Sequence, residues 1–282
     1  MEKIYNMKKI GLALGAGGAR GLAHIVILEA LEELDIKPTV IAGSSIGAII
    51  GAFFSTGFST EEIKGFVSEI IYGKKSKFWE IHKKSDFMKY FDLLDPTMKI
   101  GGILKGDKLG RYISDKLKIS NFNELSIPLK VVTTNYNSKT QVMLSKGDLI
   151  SALRASYAMP FLFSPVKRDK KLLIDGGMVN PLPYDLIQNE CDITIAVDVS
   201  ASNGARVNTK IPPAYEVLFS AFQIMQSSIV TEKLKTGKPT IHIKTNIKDV
   251  RVHEFVKAEH IFKSAEPYKE ELKKKLITLL SI

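Results

Sequence analysis

The segment Gly43-Ser44-Ser45-Ile46-Gly47 has the pattern G-x-S-x-G, which can present a nucleophilic serine at its centre. Residues 36–42 (IKPTVIA) predict a short buried strand and residues 46–54 a helix of small residues, so Ser45 falls on the turn between them. Gly43 and Gly47 leave room for a strained backbone, and the turn holds the hydroxyl at the positive end of the helix dipole. We therefore predict that Ser45 is a nucleophile.

A glycine-rich loop follows the strand predicted at residues 9–14 (KIGLAL) and leads into a predicted helix. The residues that define this loop are Gly15, Ala16, Gly17, Gly18, Arg20 and Gly21. Backbone N–H groups in such a loop can bind phosphate or stabilise an oxyanion. The dinucleotide fingerprint G-x-G-x-x-G fails at its sixth position, Arg20, and Gly43 and its two serines stand where a ribose-binding carboxylate is required. An oxyanion hole is the favoured interpretation, because consecutive strand ends lie side by side in a parallel sheet.

A third motif, at residues 171–177 (KLLIDGG), predicts a short strand that ends in Asp175 before Gly176 and Gly177. An isolated aspartate at such a place is usually a turn residue or a helix cap. Because the serine motif and the glycine-rich loop precede it in the same chain, we interpret Asp175 as a catalytic acid or base.

These three motifs, in this order, resemble those of the patatin-like phospholipases, and the resemblance extends over nearly all of the chain from Ile10 onward. Lesser matches are residues 101–106 (GGILKG), residues 156–166 (SYAMPFLFSPV) and Val197-Asp198-Val199. The resemblance implies a Ser-Asp dyad, with Ser45 as nucleophile, Asp175 as base and the amides around Gly17 and Gly18 as oxyanion hole. One departure is Ala16, which replaces the first of three glycines common in that loop.

A serine hydrolase commonly relies on histidine, but no histidine of this chain occupies a motif position. The five are His24, His82, His242, His253 and His260. We expect structural or surface roles for them, with His24 the strongest catalytic exception. A dyad instead requires either a site dry enough to raise the pKa of Asp175 above about 3.9 or a strongly activated serine hydroxyl. Asp198, also at a predicted strand end, is the rival acid and is expected to be a buried structural partner.

The expected substrate is a lipid carboxylic ester, and this part of the prediction comes mainly from the resemblance. Arg20 could pair with a phosphate headgroup or form a structural salt bridge, and both roles stay open. The alternative function is a regulatory lipid-binding or adaptor protein on the same fold, with slow or absent hydrolysis. No cofactor is expected, and no metal ion, because His253 and His260 lack further ligands at suitable spacing.

The pattern of elements predicts an α/β fold, a three-layer α/β/α sandwich with a mainly parallel central sheet. Predicted strands also include residues 129–135, 141–145, 192–200 and 240–245, and predicted helices include residues 18–34, 148–155, 214–235 and 255–280. With 282 residues and 45% hydrophobic content, we expect a single domain over residues 1–282. Its catalytic portion would span about residues 10–200 and a C-terminal extension about residues 214–282, joined by the loop at residues 200–213.

The single cysteine, Cys191, favours a reducing compartment. Residues 1–19 and 38–60 imitate targeting or membrane segments but are better explained as buried strand-turn-helix units, so we expect a cytoplasmic protein.

The net charge of +10 is concentrated in part at residues 72–91, which combine six lysines with six aromatic residues. This composition suits contact with an anionic membrane at its inner face, as a lid or docking element, or equally a partly buried helical insertion. Nucleic-acid binding has no supporting motif.

Overall fold

One eight-stranded sheet lies at the centre of the computed structural model, which describes residues 8–73, 106–200 and 211–281. The strands are β1 (Ile10–Leu14), β2 (Val40–Ser44), β3 (Leu129–Asn135), β4 (Thr140–Leu144), β5 (Val166–Arg168), β6 (Lys171–Asp175), β7 (Ile193–Asp198) and β8 (Ile241–Lys244). The helices are α1 (Ala23–Glu33), α2 (Ile46–Thr56), α3 (Thr60–Tyr72), α4 (Asp107–Leu117), α5 (Leu149–Ser156), α6 (Ala214–Thr236) and α7 (Ala258–Leu280). The predicted three-layer α/β architecture with a mostly parallel sheet is confirmed.

The sheet is mixed, and its parallel part forms the centre. The strands follow the order β5-β6-β3-β2-β1-β7-β8, and β4 pairs with β3. The pairs among β8, β7, β1, β2 and β3 are parallel, whereas β4 and β6 pair with β3, and β5 with β6, in antiparallel fashion. Every residue of β1, β2 and β7 is buried, as expected for parallel strands that are covered on both faces.

Alternation along the central strands explains the two covering layers. Large side chains such as Leu12 and Leu14 face the main core, which contains buried residues of α1, α2 and α7. Small side chains, represented by Ala13 and Ala42, face a second core together with Tyr184 and residues of α6. Both faces of the sheet are thus buried, and the C-terminal helix α7 packs against α1 and β8.

Several helices and strands begin or end at other residues than predicted. Strand β2 covers Val40–Ser44 instead of residues 36–42, because the register with β1 begins where Val40 pairs with Gly11. The helix predicted from Gly18 begins as a 3-10 turn, Gly18–Leu22, before α1. Likewise, the helix predicted from Phe255 begins as the 3-10 turn Phe255–Lys257 before α7. Strand β5 and helices α3 and α4 were not predicted.

Two expectations concern residues that lie outside the described part of the chain. Almost all of the cationic and aromatic segment at residues 72–91 does so, as does most of the loop at residues 200–213. Across the residues that are described, no helix combines the length and apolar character needed to cross a membrane.

Candidate active site

Strands β2 and β6 meet end to end along one edge of β3. Strand β4 occupies the other edge of β3 from Val131 to Asn135. On the shared edge, Ser44 at the end of β2 pairs with Val132, and Asp175 at the end of β6 pairs with the next residue, Thr133. Because β2 runs parallel and β6 antiparallel to β3, the two carboxyl ends converge, and this brings Ser45 next to Asp175.

Ser45 lies on a strained turn between β2 and α2. Its backbone has φ 54° and ψ −122°, a positive φ that a residue with a side chain rarely adopts. The turn is so tight that a Cβ atom at position 47 would lie 2.2 Å from the carbonyl oxygen of Leu14, so only glycine fits there. Ser44 is fully buried, whereas Ser45 lines a cavity and is the accessible serine.

The side chains of Ser45 and Asp175 form a direct hydrogen bond. The Ser45 hydroxyl donates to Oδ2 of Asp175 over 2.7 Å. The Ser45 amide donates to the Ser156 hydroxyl at 2.9 Å, and that hydroxyl donates to the Val132 carbonyl oxygen at 2.7 Å. Ser156 therefore ties the strained turn to β3 and fixes the backbone of Ser45.

Asp175 is held from several sides in a dry environment. Only 3% of its surface is exposed, and its Oδ1 accepts a hydrogen bond from the Gly177 amide at 2.7 Å. The hydroxyl of Thr134 donates to the Asp175 carbonyl oxygen, which fixes the backbone. Burial raises the pKa of Asp175 from 3.8 to about 6, against the opposing effect of the hydrogen bonds from Ser45 and Gly177. A carboxylate with such a pKa can accept a proton near neutral pH.

Some backbone amides of the glycine-rich loop form structural hydrogen bonds, whereas others have no acceptor within the described part of the protein. The amides of Gly15 and Ala16 donate to Val197 and Pro181, and the amide of Ala19 donates to the Val252 carbonyl oxygen. Among the described residues, no protein acceptor is bonded to the amides of Gly17 and Gly18. The Ala16 amide is already bonded, so its methyl group does not interfere with a function of that amide.

Gly18 is positioned by a close backbone contact with the C-terminal region. Its φ is +57°, and a Cβ atom there would lie 2.4 Å from the carbonyl oxygen of Val252. Gly18 also lines the cavity that contains Ser45. The loop therefore reaches the site only because position 18 has no side chain.

His24 is fully buried, and its imidazole bonds to the glycine-rich loop. Its Nε2 lies 2.8 Å from the carbonyl oxygen of Gly15, which requires that nitrogen to carry the proton and donate it. Burial lowers the pKa of His24 from 6.5 to about 4, so the ring is neutral. Its bonded nitrogen contacts the loop backbone instead of Ser45 or Asp175, and this supports a structural role.

Arg20 is buried, with 3% of its surface exposed, and donates to the Ser200 carbonyl oxygen at 2.9 Å. Burial lowers the pKa of its guanidinium, and the charge of Asp198 opposes that shift. These contacts support the structural role of Arg20 over headgroup binding.

Asp198, the rival acid, bonds to different partners. Its Oδ1 accepts hydrogen bonds from the amide and the hydroxyl of Ser200, at 2.9 and 2.6 Å, and Nε2 of His242 lies 3.8 Å from its Oδ2. Burial alone would raise its pKa, but His242 and the Ser200 hydrogen bonds outweigh burial and hold the pKa below its ordinary value. This carboxylate is stabilised as an ion and has no contact with the Ser45 hydroxyl.

A cavity of about 480 Å³ extends from Ser45 and has almost entirely apolar walls. Its volume lies within the usual range for small-molecule sites. One face of α2 and residues of α3 line it, with further residues from α4, α6 and the segment after α5. A serine hydroxyl that lines an apolar cavity could meet the ester group of a hydrophobic acid.

The structure places the Ser45 hydroxyl and the Asp175 carboxylate in hydrogen-bond contact, and Gly18 lines the same cavity as Ser45. Sequence reasoning missed Ser156 as the hydrogen-bond acceptor of the Ser45 amide. Ser156 is the first residue of the segment at residues 156–166, which the family resemblance includes. Sequence reasoning also missed the cavity wall. The signal was available in α2, where large apolar residues recur with helical spacing at Ile46, Ile49, Ile50 and Phe53.

Comparison with known proteins gives a family match over more than half of the chain. The family model of patatin-like phospholipases matches residues 12–187. An uncharacterized NTE family protein of Mycobacterium tuberculosis is 34% identical over 195 residues, which are 69% of this chain and 50% of the relative. Lysophospholipase NTE1 of Kluyveromyces lactis is 28% identical over 226 residues, which are 80% of this chain and 14% of that protein.

A solved structure supports the fold independently of sequence. The crystal structure of VipD from Legionella pneumophila superimposes with a TM-score of 0.53 at 14% identity, covering 95% of this chain and 66% of that one. At this identity the likeness concerns the fold alone. The chain spans half the length of its mycobacterial relative and a small part of the yeast protein.

Proposed function

The chain belongs to the patatin-like phospholipase family, and from that premise we propose that it is a serine acyl hydrolase that cleaves carboxylic esters of lipids. The observation that carries the proposal is the 2.7 Å hydrogen bond from Ser45 to the buried carboxylate of Asp175, at the head of an apolar cavity. The name lysophospholipase of the yeast relative supports a phospholipid-derived ester as substrate.

In the first half of the proposed reaction, Ser45 Oγ attacks the acyl carbonyl carbon while Oδ2 of Asp175 takes the hydroxyl proton. The carbonyl oxygen becomes an oxyanion, and the amides of Gly17 and Gly18 are the proposed donors to it. The N-terminal end of α2, at which Ser45 lies, adds favourable dipole charge. When the C–O bond to the alcohol breaks, the proton passes from Asp175 to the leaving oxygen, and acyl-Ser45 remains.

In the second half, water attacks the acyl carbon of acyl-Ser45, and Asp175 takes the proton from that water. The second tetrahedral intermediate uses the same oxyanion donors and then releases the carboxylic acid. The proton returns to Ser45 Oγ, so the enzyme is regenerated. One carboxylate with a pKa of about 6 serves as base and acid in turn.

We also propose that the C-terminal extension belongs to the same catalytic domain. The Val252 carbonyl oxygen accepts the Ala19 amide, and Val252 packs against Gly18. Loss of this extension would therefore disturb the oxyanion loop. The single cysteine and the net charge of +10 support a cytoplasmic enzyme that works peripherally at anionic lipid.

The proposal is tested by treating the purified protein with a fluorophosphonate and mapping the modified peptide by mass spectrometry, alongside hydrolysis of a lysophospholipid. We expect labelling at Ser45 and hydrolysis, both lost in Ser45→Ala. Ser44→Ala is the matched control, because Ser44 is fully buried, and it should keep both. Folded protein that neither labels nor hydrolyses would contradict the proposal and favour a binding or adaptor role.

A further inference from the structure

Helix α2 carries small side chains on one face and large apolar side chains on the other. Small residues recur on one face, at Ala48, Gly51, Ala52 and Ser55, all of them buried. This face lies close to the sheet, since a Cβ atom at Gly51 would be 3.2 Å from Ile41 of β2. The four large residues of the opposite face, Ile46, Ile49, Ile50 and Phe53, all line the cavity. Their spacing of i, i+3, i+4 and i+7 forms one continuous stripe.

The same helix begins at the nucleophile, so depth in the cavity can be measured along it. Ser45 is the N-cap of α2, and the helix rises about 1.5 Å per residue. Ile49 therefore lies about 6 Å and Phe53 about 12 Å along the axis from Ser45. An acyl chain attached to Ser45 Oγ would pass these residues in order.

The lining residues of the cavity differ in exposure. Phe161 and Tyr215 are 46% and 44% exposed. By contrast, Phe53 and Ile63 are 5% and 1% exposed.

Phe53 belongs to a cluster of three aromatic rings. The ring of Phe53 lies 5.4 Å from that of Phe66 and 5.9 Å from that of Phe58, and Phe58 lies 5.1 Å from Phe66. Phe53 and Phe66 line the cavity, whereas Phe58 lies behind them outside the lining.

A charged group lies next to this aromatic cluster. The ammonium group of Lys116 lies 4.8 Å from the centre of the Phe66 ring and pairs with Glu69 at 2.6 Å. A methyl terminus that moved past Phe66 would meet this ion pair, which an alkyl chain cannot solvate.

We propose that the α2 stripe is an acyl-length ruler, in which Phe53 sets the longest straight chain that the site accepts and Ile49 lines its midpoint. This inference rests on the proposed function and adds that the site selects its substrate by the length of the acyl chain. Each methylene that enters the cavity should raise kcat/KM about fourfold, corresponding to about 0.8 kcal/mol per buried methylene. The gain ends where the chain reaches Phe53.

The test compares kcat/KM for p-nitrophenyl esters of straight-chain acids, from butanoate to octadecanoate. In Ile49→Phe we expect the optimum to shift to shorter chains, with at least about a tenfold loss for the best ester of the unmodified enzyme. In Phe53→Ala the optimum should shift to longer chains, because the space up to Phe58 and Phe66 becomes available.

The matched control is Phe58→Ala, which removes a ring of the same cluster that does not line the cavity. It should lower the melting temperature yet keep the unmodified length profile. Superimposable profiles in all four proteins would overturn the ruler while leaving the hydrolase intact. If the unmodified enzyme cleaves none of the esters, both proposals are wrong. Should Phe53→Ala fail to fold, Ile49→Phe decides alone.

Discussion

Two buried aspartates, Asp175 at the end of β6 and Asp198 at the end of β7, have opposite electrostatic environments. They are 3% and 2% exposed, so burial is nearly the same for both. Yet the pKa of Asp175 is raised to about 6, whereas that of Asp198 is held below its ordinary value. The difference between them must come from their partners.

Asp175 has two donors, the Ser45 hydroxyl and the Gly177 amide, and neither carries a charge. Asp198 has two donors from Ser200, a nearby His242, and the charge of Arg20. An ion that is poorly compensated can accept a proton, and one that is well compensated stays ionised. A strand-end carboxylate is thus a base or a structural ion according to its donors.

The largest expected difference between the two aspartates is in catalysis, and it is tested by neutralising each carboxylate in turn. We expect Asp175→Asn to lower kcat/KM for a lipid ester by about 10⁴-fold, because the amide cannot take the Ser45 proton. Asp198→Asn should lower kcat/KM by less than about tenfold. Asp198 has no contact with the Ser45 hydroxyl and acts only by holding the segment at Ser200. Steady-state kinetics of the two variants measures both effects.

Circular dichroism of both variants is the control, because a misfolded protein would imitate loss of the base. Comparable losses from the two folded variants would mean that the carboxylates share the catalytic role, contrary to the assignment made from their donors.

The same two variants should change the free energy of unfolding in opposite directions. The folded-state pKa of Asp175 lies above its unfolded value, so folding is favoured at low pH and stability declines as the pH rises from about 4 to about 6. Asp175→Asn removes this penalty and should raise the free energy of unfolding by about 3 kcal/mol at pH 8, with little gain at pH 4. Urea denaturation at the two pH values measures it.

Asp198 has a lowered pKa, so it contributes stability that is present above its unfolded value and lost in acid. Asp198→Asn should therefore lower the free energy of unfolding at pH 8 by about 1–3 kcal/mol. Two variants that both destabilise the protein at pH 8 would show that Asp175 is compensated as well as Asp198.

Much of the site could be predicted from local sequence. Ser45 and Asp175 follow short apolar strands and stand next to glycines, so turn chemistry and strand ends are readable without a structure. The glycine-rich loop could be separated from a dinucleotide site by Arg20 at the sixth position of the fingerprint and by the missing ribose-binding carboxylate. Residues 129–135 and the start of α6 at Ala214 also coincide with their predicted bounds.

What could not be predicted depends on contacts between distant segments. Nothing near Asp175 in the sequence shows that β6 runs antiparallel to β3 and meets the end of β2. The burial of Arg20 and the contact of His24 with Gly15 arise from packing against β7 and the loop backbone. Val252, which lies more than 200 positions from Gly18, contacts it only because the C-terminal segment crosses the loop.

The central claim is that Asp175, and no histidine, activates Ser45, and the pH dependence of kcat/KM with a soluble ester tests it most directly. A single rise with its midpoint near pH 6 is predicted, because the carboxylate must be ionised to accept the proton and its raised pKa is about 6. The residual activity of Asp175→Asn should lack this rise, whereas Asp198→Asn should keep it. A rise near pH 6 that persists in Asp175→Asn would contradict the account, since another group would then be the base.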